Sequence, residues 1–227
     1  MNDPIVFSQE PVLLVGGAHG DNAQLMSVLD EVNTVVAADS GADWLRKVGR
    51  LPDALIGDLD SVSAATRAAI PPEAVHLITE QDSTDFDKAI RFIEAPLVLG
   101  IGFLGGQVDH LLAAMTVMAR YPDRAIVLIG EQDVVAHLPA RIDLPLPAGT
   151  RVSLYPMRPV MGASTGLKWP IDGLELSPGG RVGTSNRADG PVTLTVQSPG
   201  LLIILPVSER SVLQQALVQA GGSWPAL

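Results

Sequence analysis

Ala54-Leu-Ile-Gly-Asp-Leu-Asp-Ser61 decides the fold class of this chain. Its apolar run, Ala54–Ile56, is short and bounded by turn residues, as expected of a strand buried on both faces. Val12–Val15, Thr34–Ala38, Val75–Ile78, Leu97–Phe103 and Ala125–Ile129 repeat the pattern. Helical spacing fills the intervals near 21–31, 41–49, 63–69, 85–94 and 109–120. Phe86, Ala89, Ile90 and Ile93 form the apolar stripe of the fourth helix; Leu111, Leu112, Met115, Met118 and Ala119 form that of the fifth. Thr84 is placed to cap the fourth, with Asp87 three residues on in a capping-box-like arrangement. Alternation of this kind predicts an α/β domain over residues 1–139, a mostly parallel sheet with flanking helices.

In such a sheet, ligands bind beyond the carboxyl ends of the strands. Asp39, Asp58, Asp60, Asp82, Asp85 and Asp109 each fall just after a predicted strand or in the turn that follows, so they can converge on one edge. Asp58 and Asp60 stand two apart, a spacing that extended backbone aims to one side. Carboxylates gathered this closely repel one another unless a cation neutralises them. Gly16-Gly17 and Gly105-Gly106 let a phosphate approach the backbone. Asp85 and Asp109 sit in first helical turns, where N–H groups and the helix dipole receive anions. The combination reads as a Mg²⁺–phosphate site. Singly, the pieces have plainer readings. Asp87 is a helix-cap residue, and neither glycine pair opens a G-x-G-x-x-G or Walker A sequence.

Past residue 140 the texture changes. Pro145, Pro147, Pro156, Pro159, Pro170 and Pro178 forbid long helices. Short β-like runs (Arg151–Tyr155, Val192–Gln197, Leu201–Leu205) are separated by turns such as Ser177-Pro-Gly-Gly180 and Asp189-Gly190. They predict a smaller antiparallel, β-sandwich-like domain over 140–227, closed by a helix at about 209–220. Within it, Ala163-Ser-Thr-Gly-Leu-Lys-Trp-Pro170 sets a tryptophan beside a lysine. Trp169 is either core packing or a flat face for an aromatic or cationic ring. In the second case Ser185 and Asn186 are nearby hydrogen-bonding groups on another loop.

Composition narrows the chemistry. The chain has 227 residues and no cysteine, which excludes disulfides and thiolate metal sites. Its four histidines lack zinc-ligand spacing, so any metal is expected to be a hard, oxygen-liganded ion. Residues 1–139 hold 8 Lys/Arg against 20 Asp/Glu, a net of −12, and residues 140–227 hold 7 against 5, a net of +2, which together give the chain's −10. That acidity argues against a nucleic-acid partner. Met1-Asn-Asp-Pro4 has no signal-peptide character and no apolar run approaches a membrane span, so the expectation is a soluble cytoplasmic protein without membrane contact.

Taken in order, the motifs resemble those of the thiamine pyrophosphokinase family. They are Ala38-Asp-Ser-Gly-Ala42, Ile56-Gly-Asp-Leu-Asp-Ser61, Gln81-Asp-Ser-Thr-Asp-Phe-Asp-Lys88, Gly105-Gly-Gln-Val-Asp-His110, Thr165-Gly-Leu-Lys-Trp169 and Thr184-Ser-Asn186, within residues 12–205. The resemblance implies pyrophosphoryl transfer from ATP to thiamine, with Mg²⁺ required. It also implies a homodimer whose thiamine site is shared between subunits. By motif, Asp58, Asp60 and Asp85 are the metal carboxylates. Asp39, Gln81, Asp82, Ser83, Thr84, Gly106 and Gln107 face the nucleotide. Trp169 stacks on thiamine in a pocket with Thr165, Lys168, Ser185 and Asn186. Asp109 contacts phosphate or substrate; it or a metal-site carboxylate is the candidate base. Family members often carry Arg at the place of Gln107 and a second Gly at that of Ser40.

Two other readings compete. Asp58-Leu-Asp60 superficially resembles the Asp-x-Asp of haloacid-dehalogenase-like phosphatases, but that motif belongs to a first strand and here follows the third. A thiamine-binding protein with a decayed nucleotide site would be expected to lose acids from the cluster, and none is missing.

Overall fold

The computed structural model describes residues 3–18, 20–220 and 224. They fall into two compact units, Met1–Val117 with Leu128–Glu131 and Met118–Val127 with Gln132–Leu227.

In the first unit the chain runs β1 (Val6–Phe7), β2 (Val12–Val15), α1 (Asn22–Leu29), β3 (Thr34–Ala38), α2 (Gly41–Lys47), β4 (Ala54–Gly57), α3 (Ala64–Arg67), β5 (Val75–Leu77), α4 (Asp85–Phe92), β6 (Ile93–Glu94), β7 (Val98–Ile101) and α5 (Val108–Arg120), with Leu128 and Ile129 of β8 (Ile126–Ile129). The sheet order is β8-β7-β2-β3-β4-β5. The pairs β7–β2, β2–β3, β3–β4 and β4–β5 are all parallel, as the strand–helix alternation predicts. β2, β4 and β7 are buried along their whole length, the property of a sheet covered on both faces. Thr84 caps α4 as expected, its side chain accepting from Asp87 N–H. That helix is shorter than its apolar stripe predicts: Ile93 turns to extended backbone and pairs, in β6, with β1.

The second unit contains β9 (Asp133–His137), β10 (Arg141–Leu144), β11 (Arg151–Pro156), β12 (Val160–Leu167), β13 (Glu175–Leu176), β14 (Gly183–Val196), β15 (Leu201–Pro206) and α6 (Arg210–Gln219). Its antiparallel order is β9-β15-β11-β14-β12-β13, with β10 also on β14. β9 precedes the boundary expected at 139/140, yet it pairs with β15 and belongs to this unit.

β14 departs from the sequence reading. It begins at Gly183, nine residues before the expected strand at Val192. Asp189-Gly190-Pro191 bends the strand instead of ending it. The first half pairs with β11, up to Arg187↔Arg151; β12 pairs with Ala188 through Leu167 and then with Thr193–Val196, and β10 pairs from Val192 onward. No described helix is long and apolar enough to cross a membrane.

Candidate functional site

Two strand ends build the acid group. β3 ends on Asp39, which takes a left-handed φ of 44° and donates its N–H to Ile56 O on the neighbouring strand at 3.2 Å. β4 runs into Asp58 and Asp60, separated by Leu59 at φ 64°. A non-glycine residue in this region is uncommon, and two at the ends of neighbouring strands mark a place where the surrounding fold holds the backbone. The buried side chain of Leu59 anchors that turn. Carboxylate oxygens of Asp39, Asp58 and Asp60 lie within 4.8 Å of one another, an arrangement able to hold a metal ion.

Asp39 is only 3% exposed. Its Oδ2 accepts from Ser61 Oγ and from Ser61 N–H, the latter at 3.2 Å, while Oδ1 is buried with no protein partner. Burial, opposed by the Ser61 hydrogen bonds and reinforced by the charges of Asp85 and Asp58, pushes its carboxyl above the ordinary range. A buried carboxylate oxygen without a donor is what a cation would satisfy. The residues therefore fit a hard divalent ion.

The fourth helix delivers Asp85 and Lys88 to the same place. They are three residues apart on one helical face. Lys88 Nζ, almost fully buried, donates to Asp85 Oδ1 at 3.2 Å and to Asp58 Oδ2 at 2.8 Å. The Lys88 hydrogen bond holds Asp58 below the usual carboxylate range. Burial works to lower the Lys88 ammonium, yet its bonds to Asp58 and Asp85 hold it above its ordinary value. The metal set expected from the motifs was Asp58, Asp60 and Asp85. The structure groups Asp39 with Asp58 and Asp60, and ties Asp85 to a lysine.

Beside the acids lies a cavity of about 530 Å³. Gly16, Gly17, Gly102, Gly105 and Gly106 form much of its wall, with Asp39, Thr84, Asp85, Gln107 and His110 among its side chains. Backbone of this kind presents N–H groups to phosphate oxygens. Ser40 fits because Gly17 has no side chain: a Cβ there would stand 2.3 Å from Ser40 Oγ. Gln81 and Asp82 are exposed outside that wall. Ser83 is bonded instead to Glu80 and Arg91. Asp109 is exposed on α5 and is not among the wall residues.

In the second unit Trp169 is 53% exposed, which rejects the core-packing alternative. Lys168 Nζ stands 5.0 Å from its ring centroid, a cation–π contact. Asn186 Oδ1 accepts from Trp169 N–H at 3.2 Å and Nδ2 donates to Trp169 O at 2.7 Å. Asn186 is thus buried beneath the Trp169 segment as its brace. Ser185 is exposed at φ 58°, in a β-bulge of β14 opposite Ser153, whose Oγ accepts its N–H at 2.9 Å. Thr165 is exposed on β12, just before the register shift at Gly166. Thr165 to Leu167 and Thr184 to Asn186 are therefore irregular strand, where the sequence reading expected loops.

Sequence reasoning passed over the roles of Lys88 and Ser61. Lys88 had a local signal, its i, i+3 relation to Asp85. Ser61 had none, because its partner Asp39 is 22 residues away.

Comparison with known proteins gives a consistent answer. The family described as "Thiamin pyrophosphokinase, catalytic domain" matches residues 25–129, and "Thiamin pyrophosphokinase, vitamin B1 binding domain" matches residues 140–201. Among curated proteins, "Thiamine pyrophosphokinase 2" of Arabidopsis thaliana is 31% identical over 171 residues, 67% of this chain and 64% of that one. "Thiamine pyrophosphokinase 3" of Oryza sativa subsp. japonica is 28% identical, over 70% of this chain and 68% of its own. The chain thus spans a little under two thirds of the Arabidopsis relative's length. Thiamin pyrophosphokinase from Candida albicans shares the fold, with a TM-score of 0.74 at 18% identity over 91% of this chain and 95% of that one. Thiamin pyrophosphokinase from Geobacillus thermodenitrificans has a TM-score of 0.71 at 27% identity, over 89% and 99%.

Proposed function

The chain belongs to the thiamin pyrophosphokinase family, and we propose that it transfers the pyrophosphoryl group of ATP to the hydroxyl of thiamine. The observation that carries this reading is the carboxylate group of Asp39, Asp58 and Asp60 beside a glycine-walled cavity. In the reaction the thiamine hydroxyl oxygen bonds to the β-phosphorus of ATP. The bond from that phosphorus to the oxygen bridging to the α-phosphorus breaks. AMP leaves and the hydroxyl proton passes to a base.

Asp58 and Asp60 hold Mg²⁺ together with Asp39, whose Oδ1 has no protein donor to satisfy it. When bound, the ion neutralises charge on the triphosphate as AMP departs. Backbone N–H groups of Gly17, Gly105 and Gly106 receive phosphate oxygens, that of Gly16 being donated to Ile101 O, and Thr84 and Gln107 bound the same cavity. Asp109, in the first turn of α5, is the candidate base outside the acid group. On the acceptor side, Trp169 offers its exposed ring to the cationic thiazolium of thiamine, while Asn186 fixes the backbone that carries it. Lys168 lies over that ring, so thiamine takes the other face or displaces the ammonium. Thr165 and Ser185 contribute exposed hydroxyls to this surface.

We propose further that the protein works in the cytoplasm as a homodimer. Val108 and Leu112, one turn apart on α5, are 71% and 57% exposed and form an apolar strip suited to a second copy. Light scattering on the purified protein tests the dimer.

The test of the reaction is incubation with thiamine, ATP and Mg²⁺, with AMP and thiamine diphosphate measured together. The two are expected in equal amounts. Inorganic phosphate with a phosphorylated aspartate would instead assign a phosphohydrolase. Thiamine binding without turnover would leave a binding protein.

A further inference from the structure

One row of the β unit is cationic. Arg151 on β11 and Arg187 on β14 are direct cross-strand partners. Residues paired in this way hold their Cβ atoms about 4.5–5.5 Å apart on one face of a sheet. Lys168 extends the row on the other side of Arg187: its N–H donates to Arg187 O at 2.8 Å, one residue past the Leu167↔Ala188 pair. Leu167 and Ala188 are buried, so alternation turns Lys168 and Arg187 outward, where both are exposed. Like charges set opposite one another weaken a sheet unless something offsets them. Arg151 is offset by its ion pair with Asp133, and Lys168 by the Trp169 ring at 5.0 Å. The Arg187 guanidinium has no hydrogen bond or ion pair among the described residues; Asp189, two residues on, is exposed and does not pair with it.

We propose that Lys168 and Arg187 bind the diphosphate of thiamine diphosphate while Trp169 carries its ring, so that the β unit holds this product more tightly than thiamine. The inference rests on the pyrophosphokinase reading for the identity of the ring, and on the geometry of this chain for the anion site. A guanidinium and an ammonium on neighbouring strands suit a multiply charged phosphate group, which charge-assisted hydrogen bonds hold. The preference for product follows from Lys168. Its ammonium competes with a cationic thiazolium for the indole, and thiamine meets that competition in full. A thiazolium whose arm ends in phosphate gives the ammonium an anion to move to, and the indole is freed.

Asn186 is the independent sign that ring and anion site are built together. Its Oδ1 accepts from Trp169 N–H at 3.2 Å and from Arg187 N–H at 2.8 Å, and its Nδ2 donates to Trp169 O at 2.7 Å. One buried amide therefore fixes both the backbone that carries the indole and the backbone that carries the guanidinium. In the product a two-carbon arm joins the thiazolium to its diphosphate. That arm lets the phosphates leave the ring face and meet cations that already stand beside it. Release of the product is then slowed, and accumulated thiamine diphosphate restrains its own formation.

The experiment is calorimetric titration of the purified protein with thiamine, thiamine diphosphate and ADP, each in chelator and without nucleotide substrate, alongside thermal unfolding. Wild type is expected to bind thiamine diphosphate about tenfold or more tighter than thiamine. Arg187→Gln and Lys168→Gln should each remove most of that advantage, and Lys168→Gln should bind thiamine itself no more weakly than wild type. Arg187→Lys keeps the charge and should retain much of the preference. Without ligand, Arg187→Gln should melt no lower than wild type, because it relieves the repulsion from Arg151. Equal affinity for thiamine and its diphosphate in wild type would overturn the inference, as would an advantage that survives in both glutamine variants. So would ADP binding as tightly as thiamine diphosphate, or a lower melting temperature in Arg187→Gln, which would make the guanidinium structural. None of these readouts needs turnover. A protein that forms no thiamine diphosphate from ATP loses the pyrophosphokinase reading; one that forms it without the binding contrast loses only this inference.

Discussion

Asn186 holds Trp169 by its backbone: one side-chain amide accepts the Trp169 N–H at 3.2 Å and donates to the Trp169 carbonyl at 2.7 Å. The indole itself is exposed, so its position depends on that brace rather than on packing around the ring. Asn186→Ala removes this partner from both Trp169 backbone groups and from the Arg187 N–H, and is expected to cost about 1–3 kcal/mol of stability. Trp169→Ala should change stability by no more than about 0.5 kcal/mol. Both should raise the KM for thiamine more than they lower kcat. Denaturant unfolding beside thiamine kinetics checks the pair, and the idea is wrong if the tryptophan variant is the one that unfolds.

Ser61 is expected to act on the metal site without touching the ion. It fills Asp39 Oδ2 and so fixes the orientation of a carboxylate whose other oxygen has no donor. Removing the hydroxyl in Ser61→Ala should weaken Mn²⁺ binding by about tenfold, the usual scale for a residue that orients a ligand. Ser61→Thr keeps the hydroxyl and should restore most of the affinity. Equal losses in both variants would point to packing at this position instead.

Much of this site was legible because each metal-side acid follows an apolar run. Ala54 to Gly57 announces a buried strand, and Asp58 and Asp60 follow at its carboxyl end. The Thr84 cap was equally local. What one segment cannot reveal is which distant segment it will meet. Asp39 read as a nucleotide contact because nothing near it in sequence shows that Ser61 will bury one of its oxygens and leave the other free. Lys88 was visible as a neighbour of Asp85 on one helical face, but its bond to Asp58 is set by tertiary packing. In the β unit, Asp189-Gly190-Pro191 has turn chemistry, so β14 looked like a short strand after a loop; only the partner exchange from β11 to β10 and β12 makes it one bent strand.

Gly41 supports the site from beneath. A Cβ at this position would stand 2.0 Å from the carbonyl oxygen of Val15 on β2, so backbone must move to admit one. The displacement would pass directly to Asp39 and Ser40, the two preceding residues. Gly41→Ala is therefore expected to destabilise the protein by roughly 2 kcal/mol or more and to weaken ATP binding as well. Unfolding curves and nucleotide titration on the same preparation test this. A variant with unchanged stability would mean that β2 and α2 can separate without cost.

His137 makes the fold of the β unit sensitive to acid. Its ring is buried, and Nε2 accepts the Gly200 N–H at 2.8 Å, which requires a neutral imidazole. Burial, aided by the nearby positive charge of Arg158, lowers its pKa from 6.5 to about 4. In the unfolded chain the group protonates near 6.5, so between 6.5 and about 4 the unfolded state binds more protons than the folded state. Stability from this group is complete above the unfolded value, falls as pH drops through that window, and changes no further once pH is below the folded value. The full loss is on the order of 3 kcal/mol. Asp58, held low by Lys88, begins to lose its contribution as pH falls through the ordinary carboxylate value of 3.8 and completes the loss below it, so its window lies on the acid side of that of His137. His137→Gln retains an acceptor and removes the titration, and its urea-unfolding free energy should be nearly flat between pH 6.5 and 4. A wild-type slope persisting in that variant would assign the acid sensitivity to another group.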